Sequence, residues 1–311
     1  MKTSVDCLAC FMDQALRVAR ISSTDETVHL EVARAIAALL PQMEMSLTPP
    51  ENSVAVYATI ARLTGCADPY LAIKKTSNDQ ALAILPELIR EVEESEVPLI
   101  AALRLAIAGN IIDYGAMRSF DVGSALAQAR TIPLAIDASR QLFELACRLP
   151  GKSRVLFLAD NCGEIVYDLL VIRCLVDLGL DVTVAVKEGP IINDALLADA
   201  QACGLDRYAR IITNGTACPG SPLASCSPEF LHAFRQADLI LSKGQGNFET
   251  LSEAVYESDA DIFFLLTIKC PVVGAHLACL TGKSVDEFPG HGEMVLYYPE
   301  RSAGSSWRSV V

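Results

Sequence analysis

The chain predicts a multidomain protein of two textures, an N-terminal helical domain over residues 1–150 and a three-layer α/β sandwich on a mostly parallel sheet over 151–311. Three observations predict it. Before Leu149-Pro150-Gly151 apolar residues recur at helical spacing. After it, β-branched apolar runs alternate with helical stretches. Those runs end in polar or charged residues, as strands do where a buried sheet opens into loops. With 311 residues, of which 51% are hydrophobic, there is ample material for a substantial core.

In chain order, Ser23 and Glu26 stand at capping-box spacing ahead of a helical pattern over 29–40. Residues 47–53, with Pro49-Pro50, read as a break. Asp68-Pro69 predicts a helix start before 70–75, and helix-spaced apolar residues continue over 81–94 and 99–112. The second half reads as strands at 155–158, 182–186, 239–241 and 262–266, with helices at 165–178 and 195–202. Such alternation implies right-handed crossovers with helices on both sheet faces. No internal repeat or low-complexity tract is detected.

A formal net charge of -13 argues against nucleic acid and anionic membranes as partners, while leaving room for a local basic pocket that takes one small phosphate. The apolar stretch 263–280 is broken by Lys269 and Pro271, so no membrane span is expected. Eleven cysteines scattered through apolar segments, without a secretory n-region and h-region, fit reduced thiols in a cytoplasmic protein. Cys7 and Cys10 form a lone CxxC, and the four histidines make no HxxxH or HxH pair.

The chemistry-bearing residues sit at strand ends, where ligands gather in open α/β sheets. Asp160 and Asn161 offer two oxygens to a hard divalent cation, and Asp194 offers a third after the next strand. Helix capping by Asp160 and Asp194 is the competing reading. Gly163 suits close backbone approach, and Glu164 can orient water or ligand from an outer shell. In Ser242-Lys243-Gly244-Gln245-Gly246-Asn247 the glycines can expose N–H groups to an anion beside Lys243; neither a dinucleotide fingerprint nor a Walker loop is formed. Lys269, after an apolar strand, either snorkels to solvent or meets an anion. Asn110 and Asp113 share a helix face, as a cap, an interdomain contact or a ligand group.

Taken in order, Asp6-Cys-x-x-Cys10, Asp68-Pro-Tyr70, Gly109-Asn110-x-x-Asp113, Asp160-Asn-x-Gly-Glu164, Asn193-Asp194-Ala195, Ser242-Lys-Gly-x-Gly-Asn247 and Lys269-Cys-Pro271 resemble the damage-control phosphatases. This is a metal-dependent family formerly catalogued as a domain of unknown function. The CxxC and the chain length are similar to its prokaryotic branch, which implies a helical domain joined to a Rossmann-like α/β domain. The resemblance further implies that Asp160, Asn161 and Asp194 hold one divalent metal, with Asn110, Asp113, Lys243, Asn247 and Lys269 lining the phosphate and substrate pocket. Cys162 departs from the alanine common in the family and sets a thiol beside the metal position.

The expected activity is therefore metal-dependent hydrolysis of small phosphomonoesters, sugar phosphates or damaged phosphometabolites, with Mg, Mn, Co or Ni as cofactor and with Lys243 and Lys269 offsetting charge on the transferred group. Attack by Asp160 itself is the lesser route, because haloacid-dehalogenase-type enzymes carry a second acid where this chain has Cys162. The alternatives are a Rossmann-like nucleotide-cofactor enzyme such as a methyltransferase, and a non-catalytic metal- or thiol-binding protein.

Overall fold

The computed structural model describes residues 1–109 and 132–299. Its centre is a seven-stranded sheet in the order β1-β7-β6-β5-β2-β3-β4. The strands are β1 (Ile136–Asp137), β2 (Arg154–Leu158), β3 (Asp181–Val186), β4 (Arg210–Thr213), β5 (Leu239–Lys243), β6 (Asp261–Ile268) and β7 (Glu293–Tyr297). Neighbours pair in parallel except β6 and β7, so β2 to β6 all present their carboxyl ends to one edge. The chain winds from β2 outward to β3 and β4, then returns to the other side of β2 to lay down β5 and β6. That reversal opens a crevice between the ends of β2 and β5.

Strand side chains alternate faces. Val155, Phe157, Val182, Val184, Leu239 and Leu241 enter one core with α4 (Leu71–Glu93), α5 (Pro98–Gly109), α6 (Ser139–Arg148) and α7 (Glu164–Asp177). Leu156, Leu158, Ile240, Phe264 and Leu266 enter the opposite core with α9 (Pro228–Gln236), α10 (Gln245–Leu251) and α11 (Pro271–Thr281). The short α8 (Leu197–Ala202) follows the loop after β3. Helices α1 (Val5–Ser22), α2 (Glu26–Leu39) and α3 (Pro49–Thr64) build a third core around Phe11, Ala15, Val32, Ile36, Val56 and Ile60.

The fold is thus helical plus α/β with a mostly parallel sheet. Helices α4 to α6 precede residue 150 in the chain, yet they share their core with the sheet. Helix α5 shows why: eight of its twelve residues are buried, the pattern of a helix covered on every side. It packs so closely on α7 that a Cβ at Gly109 would meet the Tyr167 ring at 2.9 Å.

Three local expectations change. Pro49-Pro50 opens α3 where a break was expected, because Thr48 and Glu51 complete a capping box and a proline in the first turn loses no helical hydrogen bond. Ser23 does not cap α2; its hydroxyl accepts from Asp25 N–H at 3.1 Å, and Asp25 caps the helix through Thr27 N–H at 2.8 Å. The segments expected at 70–75 and 81–94 form the single helix α4, which runs through the exposed Pro86. All eleven cysteines are free thiols. Among the described residues no helix is long and apolar enough to cross a membrane.

Candidate active site

The loop after β2 carries Asp160 and Asn161 and turns through Gly163, at φ 80°, into α7. Two contacts anchor it. The Gly163 N–H donates to Asn78 Oδ1 of α4 at 2.6 Å, and the Asp160 carbonyl accepts from Ala195 N–H at 2.8 Å. Asn161 and Asp194 face each other across an isolated antiparallel bridge, so the loops after β2 and β3 are stitched together where their oxygen-bearing side chains emerge. The Asn161 amide nitrogen donates to Asp160 Oδ2 at 2.7 Å and to Glu164 Oε2 at 3.2 Å, so its oxygen takes no part in either bond.

Among the described residues the buried charges around this loop do not balance. Asp160, Glu164, Asp168 and Asp194 are buried carboxylates, whereas the buried ammonium groups among them are Lys187 and Lys243. Asp194 Oδ2 is buried with no hydrogen-bond partner among the described residues, 3.7 Å from Lys187 Nζ. An anionic oxygen left so is expensive unless something positive meets it. Burial first, then the charge of Glu164, raises the Asp160 carboxyl to about 6 against the pull of Lys269, Lys187 and Lys243. Asp194 is pushed well above its ordinary range by burial, with Asp160 and Glu164 adding to it and Lys187 opposing. Both aspartates feel Lys187 and Lys269, so the two carboxylates belong to one electrostatic neighbourhood.

Among the described residues no three His, Cys, Asp or Glu side chains form a metal-binding group. What the strand ends assemble is two carboxylates and an amide oxygen, a hard donor set that suits one divalent cation with open positions. The unsatisfied Asp194 oxygen and the surplus of buried negative charge fit such an ion. Cys162 is buried with its Sγ 3.9 Å from the Asp194 carbonyl, and burial raises its thiol far above the ordinary value, so it stands as a neutral thiol.

The lysines divide. Lys269, at the end of β6, is exposed, and its backbone N–H donates to Gln245 Oε1 at 2.9 Å. Lys243 is fully buried, where its ammonium contacts Glu164 Oε1, Asp168 Oδ1 at 2.7 Å and the Ala106 carbonyl at 3.1 Å. Burial alone would lower its pKa; Asp168 and Glu164 outweigh burial and hold it above the ordinary value. Asn247 is also fully buried, donating to the Ala159 and Lys243 carbonyls and accepting from Ser221 Oγ and Lys187 Nζ. Asn110 and Asp113 lie outside the described residues.

Four participants went unnoticed in the sequence: Lys187, Asp168, Asn78 and Ser221. A signal existed for two of them. Lys187 follows an apolar strand as Lys243 and Lys269 do, and Asp168 stands four residues after Glu164 on one face of α7. Asn78 and Ser221 are ordinary helix and loop residues whose role comes from contacts across the fold.

The glycines after β5 serve close packing and not an open anion cradle. The Gly244 N–H is taken by the Leu265 carbonyl at 2.9 Å, and a Cβ at Gly246 would fall 1.8 Å from the Pro219 carbonyl oxygen. Gly244 itself, at φ 85° and ψ 160°, occupies backbone space nearly restricted to glycine, and a Cβ there would lie 2.0 Å from Asp160 Oδ2. Gly244→Ala should therefore lower stability by about 1–3 kcal/mol through backbone strain and push the Asp160 carboxylate out of place. Calorimetry and a phosphate-release assay check this, and wild-type values for both would refute it.

Four buried carboxyls with raised pKa values, Asp160, Asp168, Asp194 and Glu249, also set a pH dependence. Asp160 rises to about 6, and burial raises Glu249 to about 7, offset in part by its Gln245 hydrogen bond. The folded chain thus holds protons at pH values where the unfolded chain has released them. Stability then falls as pH rises from the ordinary carboxylate range through those values. Metal-free protein should melt at a lower temperature at about pH 8 than at about pH 5, and Glu249→Gln should shrink that difference. A melting temperature that climbs over this interval contradicts the assignment.

The family model of the ARMT1-like damage-control phosphatase domain matches residues 3–285. A damage-control phosphatase of Pyrococcus horikoshii is 33% identical over 288 residues, 92% of this chain and 97% of that one. A damage-control phosphatase of Archaeoglobus fulgidus is 29% identical over 292 residues, 92% of this chain and 98% of its own. The crystal structure of a DUF89 family protein from Pyrococcus horikoshii matches with a TM-score of 0.84 at 30% identity, covering 96% of this chain and 100% of that one.

Proposed function

Because the chain belongs to the ARMT1-like damage-control phosphatase family, we propose that it is a divalent-metal-dependent phosphatase of small phosphomonoesters, sugar phosphates or damaged phosphometabolites. The observation that supports the metal half of this reading is Asp194 Oδ2, a buried carboxylate oxygen that has, among the described residues, no hydrogen-bond partner and a surplus of negative charge around it. Asp160, Asn161 and Asp194 would hold the ion. When bound, Mg, Mn, Co or Ni would supply Lewis-acid stabilisation of the charge on the phosphoryl group.

The chain's own residues do the rest. Lys269, exposed at the rim, attracts the dianionic substrate and offsets charge on the transferred group. Lys187 holds Asp194 in place, and Asn247 in turn fixes Lys187. Lys243 acts one step back by holding Glu164, whose other oxygen orients Asn161. In the overall step a water oxygen bonds to phosphorus, the ester P–O bond breaks, and a proton from the water ends on the departing alcohol oxygen. The substrate is a small phosphorylated metabolite.

The test is phosphate release from a phosphoester panel with each of the four metals, for wild type and Asp160→Ala. Release by the wild type that requires a metal, and that falls by about a thousandfold in the variant, is the expected result. The absence of metal-dependent release by the wild type sinks the reading.

A further inference from the structure

A cavity of about 150 Å³ lies between the helices of the third core and the loop that carries Asp194. Its walls are Tyr57, Ala61, Pro69 and Tyr70 on the helical side and Ile191 and Ile192 on the loop. Val54 and Ala58, both exposed, also line it, so it communicates with solvent. Apolar cavities of about this size hold one benzene-sized molecule.

Three observations tie the cavity to the site and define what it can hold. Ile192 has φ 44°, the left-handed region, which a β-branched side chain adopts only where its surroundings force it. That turn sets Ile192 on the cavity wall and, two residues later, Asp194 opposite Asn161. Next, burial raises the Tyr57 phenol, and the charges of Tyr70 and Asp194 add to that rise. Finally, the polar groups of the wall are already engaged. The Tyr57 hydroxyl donates to Gln14 Oε1 at 2.9 Å. Asp68, the only charged residue among the described lining residues, has one oxygen 2.6 Å from Lys74 Nζ and the other accepting from Tyr70 N–H at 3.1 Å. A hydroxyl-rich group would find few partners here, whereas an apolar one would lose only water.

We propose that this cavity is the leaving-group subsite, which takes an apolar, ring-sized group borne on the alcohol of the phosphomonoester. The assignment rests on the phosphatase reading for the position of the phosphoryl group, and it selects the less polar members of that substrate class. Ile192 and Tyr57 are its specificity-determining residues.

Benzyl phosphate and glycerol 1-phosphate, two alkyl esters that differ chiefly in the polarity of the alcohol, test it. Wild type should favour benzyl phosphate by about tenfold or more in kcat/KM. Ala61→Leu, which fills the cavity, should reduce that ratio about fivefold, mainly by raising KM for benzyl phosphate. Ala61→Val adds less bulk and should move the ratio the same way by less. A wild-type ratio near one, or a ratio unmoved in a folded filling variant, overturns the proposal.

Benzyl alcohol, titrated into wild-type protein and followed by NMR of the Tyr57 and Tyr70 rings, gives a readout that needs no turnover. Saturable shifts that vanish in the filled variant support the subsite, and no shift overturns it. If wild type releases phosphate from no ester of the panel with any of the four metals, the phosphatase reading fails and the titration alone decides whether the cavity binds an apolar group, whereas release from other esters but not from benzyl phosphate overturns the subsite alone.

Discussion

Asp194→Asn should give a chain that folds at least as well as wild type without metal and yet loses about three orders of magnitude in metal-dependent phosphate release. The two effects have one cause. In the folded chain Asp194 is buried, one oxygen lacks a hydrogen-bond partner among the described residues, and Asp160 and Glu164 repel it. Lys187, at 3.7 Å, compensates only in part. An amide of the same shape removes the uncompensated charge, so the metal-free melting temperature should stay level or rise. On the proposed metal reading the same change deletes an anionic ligand, so added Mn or Mg should no longer raise the melting temperature as an ion does when it binds only the native state. Calorimetry with and without chelator, alongside the release assay, separates the outcomes. Retained activity would remove Asp194 from the metal site. A metal-free loss of several kcal/mol would make it a structural residue instead.

Lys243→Met should act on stability before it acts on rate. It removes the ammonium that contacts both Glu164 and Asp168, two almost fully buried carboxyls. Breaking a buried pair by removing one partner costs about 3–5 kcal/mol, whereas an exposed lysine at a substrate rim costs under about 1 kcal/mol. Burial raises Asp168 above the ordinary carboxylate range, so lowering the pH should neutralise it and recover part of the loss. Adding Asp168→Asn to Lys243→Met should recover part of it at neutral pH. Denaturant melts of the single and double variants measure this. A single variant as stable as wild type would mean that the Lys243 ammonium faces the substrate.

Lys269→Met is the contrasting case. Its side chain is exposed, so the substitution should leave the melting temperature nearly unchanged while raising KM for the dianionic substrate.

How far the sequence reaches is shown by particular residues. The strands β2, β3, β5 and β6 were legible because a strand buried on both faces must be an apolar run, and such runs stand out against helical spacing. The two-residue β1 and the antiparallel β7 were not, since a strand that short has no period to read and nothing local states the direction of a partner. Pro49-Pro50 misled because a proline pair both ends and begins helices, and Thr48 with Glu51 decides between them. Asp160, Asn161 and Asp194 were legible as oxygen donors at strand ends, whereas the partners of Lys243 were not. Glu164 and Asp168 lie 79 and 75 residues from it in the chain.

By itself the sequence determined the fold class, the strand ends on which the chemistry must sit and the oxygen-bearing residue types found there, because periodicity and turn chemistry are local properties of a chain. Only the tertiary structure decided which lysine is exposed at the sheet edge and which is locked among carboxylates, that Lys187 stands beside Asp194, and that an apolar cavity borders the Asp194 loop. Those outcomes depend on burial and on the sum of charges within a few ångströms, which residues distant in the chain contribute together.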